Sequence, residues 1–123
     1  MPQNIIKILD KNFSDLKSGE KMYISSPEII TKYIEKIPFG VQKSLKEVRL
    51  ELAKKVKADN TCPVTTGIFL RKSIQMYFEK YKKYDEVFPF WRIINEKHPI
   101  VKKLNLNANK IINLRKKEKL INL

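Results

Sequence analysis

Side chains able to do covalent chemistry are few in this chain. Cys62 is the single cysteine and His98 the single histidine, and the three glycines form no phosphate-cradling loop of the P-loop or dinucleotide type. No Gly-x-Ser-x-Gly run and no paired carboxylates stand out. Cys62 precedes Pro63 at a predicted helix start, a setting that can lower a thiol pKa and make the sulfur a nucleophile. A free cysteine is more commonly a buried apolar residue. One imidazole without further cysteines or clustered carboxylates cannot build a metal site, so no metal is expected and His98 reads as a surface turn residue. No nucleotide or other small-molecule cofactor is expected.

The remaining chemistry is electrostatic. Twenty-six Lys and Arg against thirteen Asp and Glu give a net charge of +13 and a pI near 9.8, a field that favours polyanions and makes nucleic acid the leading partner class. Part of that charge also follows from a composition rich in Lys, Ile and Asn, as solvated lysine with no partner. Around the predicted helices, Lys43, Ser44, Lys46, Thr65, Thr66, Arg71, Lys72 and Gln75 are the candidates for contact with phosphate. Hydroxyls and free N–H groups at a helix N-terminus suit phosphate oxygens, and Gly67 would let helix and backbone approach closely. The two threonines also read as ordinary caps.

The elements that must position these residues follow from periodicity and punctuation. The 123 residues, 42% hydrophobic and 32% charged, contain no run of about eighteen apolar residues, so one core and no membrane span are expected. The N-terminal residues lack the basic segment, apolar run and cleavage site of an export signal, and the lone cysteine fits a reducing compartment, so the expected location is the cytoplasm. Ile5, Ile6, Leu9, Phe13 and Leu16 predict an amphipathic helix over residues 3–17. Ser26-Pro27-Glu28 opens a second helix with Ile30, Tyr33, Ile34 and Ile37 inward. The capping box Ser44-Leu45-Lys46-Glu47 opens a third over 44–56. Asp59-Asn60-Thr61 reads as a turn, and a fourth helix spans 63–83 on a Leu70, Ile74, Tyr77, Phe78 and Tyr81 stripe, with Arg71, Lys72 and Gln75 opposite. Phe90 to Asn95 reads as one or two short strands, and residues 107–123 as a helix carrying the basic run Arg115-Lys116-Lys117. Two helices, a turn and a short β segment are the ingredients of a winged helix-turn-helix.

Several runs, taken in order, carry a resemblance: Gly19-Glu20-Lys21-Met22, Ile37-Pro38-Phe39-Gly40, Cys62-Pro63-Val64-Thr65-Thr66-Gly67-Ile68-Phe69, Pro89-Phe90-Trp91-Arg92-Ile93-Ile94 and Asn95-Glu96-Lys97-His98-Pro99. Residues 22–91 with these runs resemble the small proteins related to methylated-DNA-protein-cysteine methyltransferases. The resemblance implies a fold that is mainly α with a small β wing, a winged helix-turn-helix of the alkylguanine-DNA alkyltransferase C-terminal domain type. The expected division is an N-terminal amphipathic helix over 1–18, which the resemblance does not clearly cover, a winged helix-turn-helix DNA-binding domain over 19–104 and a basic C-terminal helix over 105–123 packing on the domain. In active repair enzymes the corresponding segment reads Pro-Cys-His-Arg, and the thiolate takes an alkyl group from guanine. Here Phe90 and Trp91 stand at the cysteine and histidine, and neither a phenyl ring nor an indole N–H can perform those roles. Alkyl transfer by that route is excluded.

The resemblance further implies that the second helix of the pair enters the minor groove, where Thr65 or Thr66 replaces the family's intercalating arginine. It places Phe90, Trp91 and Arg92 at the mouth of the alkyl-base pocket, where the rings could stack on an extruded base. An aromatic pair of this kind is also ordinary core packing. The expected function is a non-catalytic protein that binds double-stranded DNA, recognises alkylated DNA and works with DNA repair proteins. The alternatives are an RNA-binding or ribosome-associated basic protein, suggested by the tail around Arg115, and an alkyltransferase-type enzyme using Cys62.

Overall fold

A computed structural model describes residues 5–121. It is mainly helical with a small sheet: β1 (Ile5–Ile8), β2 (Lys21–Ile24), α1 (Pro27–Glu35), α2 (Leu45–Lys55), β3 (Asn60–Thr61), α3 (Pro63–Tyr81), a 3₁₀ turn at Phe90–Arg92, α4 (Pro99–Lys103) and α5 (Ala108–Lys117). Of the longer helices, α1, α2 and α5 begin at a side-chain cap, whereas α3 begins at Pro63 with no cap hydrogen bond from Cys62. Ser26 Oγ accepts from the Ile29 N–H at 3.2 Å ahead of Pro27, which opens α1. At α2 the capping box is complete, with Ser44 Oγ accepting from Glu47 N–H and Glu47 Oε1 from Ser44 N–H, both at 3.1 Å. Ile30, Tyr33 and Ile34 of α1, Val48 and Leu52 of α2, and Leu70 and Ile74 of α3 share one core, and Ile111 of α5 is buried in it.

The N-terminal segment is not the helix that its spacing predicts. Residues 3 and 4 of that prediction lie outside the described residues, but Ile5–Ile8 is a strand paired antiparallel to β2, Ile5 opposite Ile24 and Ile8 opposite Lys21. Three β-branched residues in four suit a pleated strand, and β2 supplies a partner. Gly19, at φ +89°, turns the chain back so that its N–H donates to Leu9 O at 2.7 Å. Leu16, in the same segment, is buried with Met22 and Cys62 in a second small cluster.

The predicted turn at Asp59–Thr61 is also partly strand. β3 adds to β2 in parallel, Met22 opposite Asn60 and Tyr23 opposite Thr61. Asp59 N–H donates to Lys21 O at 2.9 Å and Cys62 N–H to Tyr23 O at 2.8 Å. Thr61 Oγ1 donates to Arg49 O at 2.6 Å, and Arg49 Nε returns a bond to Thr61 O at 2.8 Å. The connection from α2 to α3 is therefore clamped to the sheet on one side and to α2 on the other. The guanidinium of Arg49 reaches Asp15 through two further bonds at 2.8 and 2.7 Å, and that pairing holds the Asp15 carboxyl below the ordinary aspartate range.

The strands predicted over Phe90–Asn95 are absent. Arg92 N–H donates to Pro89 O and Ile93 N–H to Phe90 O, both at 3.0 Å, which makes a tight helical turn. Aromatic and β-branched composition favours strands because such side chains fill a half-buried pleated surface. Here the same side chains are buried by a turn with no neighbouring strand, so the sheet is the N-terminal one and not a wing after α3.

Candidate nucleic-acid interface

The candidate residues fall into three neighbourhoods. The first is the solvent side of α3. Leu70 and Ile74 are buried, so 3.6-residue periodicity turns Val64, Ile68, Lys72 and Gln75 outward, and all four are exposed; Arg71 is half-buried. Arg71 and Lys72 make no hydrogen bond or ion pair among the described residues. Gln75 is tied down the helix, donating from Nε2 to Glu79 Oε1 at 3.1 Å. Thr66 is buried and donates to Cys62 O at 2.6 Å, which removes it from any surface; Thr65 is half-buried, and its hydroxyl has no partner. Gly67 is not needed for close packing, because a Cβ there would meet nothing within 4 Å.

The second neighbourhood, around the start of α2, is largely spent on its own structure. Lys43 Nζ pairs with Glu51 Oε2 at 2.9 Å, and Tyr33 donates to the other oxygen of the same carboxylate at 3.0 Å. The bond to Glu51 raises the Lys43 pKa, so the ammonium is committed within the fold. Ser44 is the cap of α2 described above. Lys46 is exposed and close enough to lower the Asp15 pKa. Different elements thus hold the α2 group and the α3 group, and Lys43 and Ser44 each have a partner within the fold.

The third neighbourhood overturns the base-pocket expectation. Phe90, Trp91 and Arg92 are 1%, 0% and 4% exposed. Phe90 packs edge-on to Trp91 with ring centroids 5.6 Å apart and to Phe78 at 5.7 Å. Trp91 Nε1 donates to Glu118 Oε2 at 2.7 Å; Arg92 donates from Nε to Glu118 Oε1 at 2.7 Å and from a terminal nitrogen to Ile37 O at 2.6 Å. Gly40 N–H completes the shell of Glu118 at 2.9 Å. Burial pushes the Glu118 carboxyl up, but Arg92, the Gly40 N–H and the Trp91 N–H outweigh it and hold the pKa below the ordinary glutamate range. The rings are core, and Arg92 is a buried ion-pair partner.

Two expectations about single residues change for the same reason. Arg115 is not part of a solvent-facing basic tail: it is buried and donates to Trp91 O at 2.6 Å and to Gln42, leaving Lys116 and Lys117 as the outward cations of that run. Cys62 is 4% exposed, so no substrate reaches its sulfur in this conformation.

Spacing along the predicted helices does not single out His98 or Lys103 as contact residues. Arg71 of α3 shares a cleft with both, together with Val64, Gly67, Ile68, Pro99 and Ile100. The signal was present in His98-Pro99, a cap residue before a proline at the first helical position. His98 is the N-cap of α4, its Nδ1 accepting from Ile100 N–H at 3.2 Å, and it is half-buried rather than a surface turn residue. Burial pushes its pKa below the ordinary 6.5. The unfolded chain therefore takes up the proton first as the pH falls, and stability should decline from about pH 6.5 downward until the folded imidazole itself titrates. His98→Asn keeps a capping acceptor and removes that decline. Urea midpoints at about pH 7.5 and about pH 5.5 check it, with a smaller difference expected in the variant than in the parent.

Among the described residues, no helix is long and apolar enough to cross a membrane, and no group of three His, Cys, Asp or Glu side chains could hold a metal ion. Comparison of the chain with family models, with curated proteins and with solved structures returned no match.

Proposed function

We propose that this protein binds double-stranded DNA without transforming it, as an alkyltransferase-like module in which α2 and α3 act as the helix-turn-helix pair and the solvent side of α3 meets the duplex. The observation that carries this reading is that the neighbouring cations Arg71 and Lys72 of α3 are uncommitted. Arg71 and Lys72 have no carboxylate partner among the described residues, whereas Lys43, in the loop just before α2, does. An unpaired guanidinium on a chain of net charge +13 is free to displace counterions from phosphate at little cost to the fold. The clamped α2–α3 connection supports the reading as well, because a rigid joint presents a helix face in one orientation. With Phe90 and Trp91 enclosed, the reading includes no extrusion of a damaged base, so plain and alkylguanine duplexes should bind equally.

Fluorescence anisotropy of a labelled duplex over a salt series tests it. Log affinity should fall with log salt at about −0.9 per phosphate contact. Lys72→Ala should weaken binding evenly across sequences and reduce the slope by roughly one contact. Retention of structured RNA in preference to duplex DNA, a flat salt response, or no binding at low salt would each defeat the proposal.

A further inference from the structure

The cavity between α3 and α4 differs in its charges from the others along α3. The cavity at the opposite side of the helix includes Glu35 and Asp85 with its lysines, and the one further along includes Glu79. The α3–α4 cleft, about 250 Å³, is lined by Arg71, Lys103 and His98 over Val64, Gly67, Ile68, Pro99 and Ile100, and no carboxylate is among them. Neither Arg71 nor Lys103 has a hydrogen-bond or ion-pair partner among the described residues. Lys103 also lines the adjoining cavity with Glu79, but within this cleft two cations without ion-pair partners line one concave space, a setting that favours an anion.

The imidazole adds a directed donor. Because His98 Nδ1 accepts the Ile100 N–H, the neutral ring carries its proton on Nε2, the nitrogen left over for a ligand. Size narrows the ligand further. Pockets for drug-sized molecules run from about 300 to 1,000 Å³, so this cleft suits one charged group and its immediate substituent. The exposed side chains of Val64 and Ile68 give that substituent an apolar wall. The space over Gly67, where a Cβ would touch nothing within 4 Å, keeps the cleft open.

We infer that the α3–α4 cleft is a seat for a phosphate carried on a sugar, gripped by Arg71, Lys103 and His98, with the sugar against Val64 and Ile68. The seat itself rests on the cleft alone; that its phosphate comes from the duplex backbone and not from a free nucleotide rests on the DNA-binding reading above.

The single histidine makes the cleft separately visible, because the His98 ring C–H resonances in a proton NMR spectrum report on it alone. The full chain is titrated with thymidine 5′-monophosphate, with thymidine, and with a short duplex. The monophosphate and the duplex should both move the His98 resonances and raise its pKa, and thymidine should not. Arg71→Gln should weaken the monophosphate about tenfold or more, as expected for losing a charge-assisted hydrogen bond. Gly67→Leu fills the cleft with every charge in place and should abolish the response, while circular dichroism shows an intact helical fold. Lys72→Gln, outside the cleft, should weaken the duplex and leave the monophosphate response unchanged.

A response to the monophosphate without any duplex binding keeps the seat, makes a free nucleotide its occupant, and defeats the DNA reading. Duplex binding with still His98 resonances defeats the seat and spares the DNA reading. Equal responses to thymidine and its monophosphate also defeat the seat, since the phosphate would then contribute nothing. Silence in all arms defeats both.

Discussion

Replacing Glu118 by alanine is expected to lower the unfolding free energy by about 3–5 kcal/mol, a large share of the roughly 5–15 kcal/mol that holds a domain folded. The side chains of Arg92 and Glu118 are 5% and 2% exposed, so the surviving guanidinium would be left charged, enclosed and without its counterion. The loss extends beyond one pair. Glu118 accepts from Arg92, Trp91 and Gly40, three donors from two separated stretches of chain, and only a carboxylate offers acceptors to all of them without presenting a donor. Glu118→Gln should therefore also destabilise, though less than alanine, because one amide oxygen can still serve two of the donors. Acid should imitate the substitution. The Glu118 carboxyl titrates below its ordinary 4.5 in the fold, so its contribution is complete above that value and is lost as the pH falls through the lowered folded pKa. Chemical unfolding of parent and variants, followed by circular dichroism, measures the difference. A Glu118→Ala midpoint equal to the parent's would show that the buried pair holds nothing together.

Trp91→Ala should cost about 3–5 kcal/mol, the usual range for emptying a large aromatic site in a core that cannot collapse. Trp91 is 0% exposed, wedged against Phe90 and tied to Glu118, so the variant loses ring contacts and leaves one carboxylate oxygen without its donor. The duplex affinity of the fraction that remains folded should not change, because the ring lies beneath the surface and the proposed contacts are on α3. This separates a core residue from a base-stacking one, which would lose affinity along with stability. An independent check needs no mutation. As the single tryptophan, Trp91 should show emission shielded from acrylamide, unaltered when duplex is added. Quenching by bound DNA would return the aromatic pair to the interface.

Local rules made much of the helical frame legible. Ser26-Pro27 and the Ser44/Glu47 box mark helix starts through hydrogen bonds that close within three residues, so no distant partner is needed to read them. The Leu70 and Ile74 stripe of α3 likewise follows from its own periodicity, as does the outward placement of Lys72 and Gln75. Ile5, Ile6, Leu9, Phe13 and Leu16 fit a helical repeat equally well, and only pairing with Lys21–Ile24 makes their first turn a strand. Phe90-Trp91 suited a strand or a core by composition, and a pocket wall only by the resemblance. Its place was decided by Glu118, twenty-seven residues beyond Trp91.

What the chain determined by itself was its charge and the starts of α1 and α2, because each is a property of a residue or of neighbours within a turn or two. Tertiary structure alone decided which cations stay free. Lys43 met Glu51, Arg92 met Glu118 and Arg115 turned inward to Trp91 O, while Arg71 reached a cleft with His98 and Lys103. A cation's availability depends on the carboxylates and carbonyls that the fold brings within a few ångströms, and sequence distance does not encode that separation.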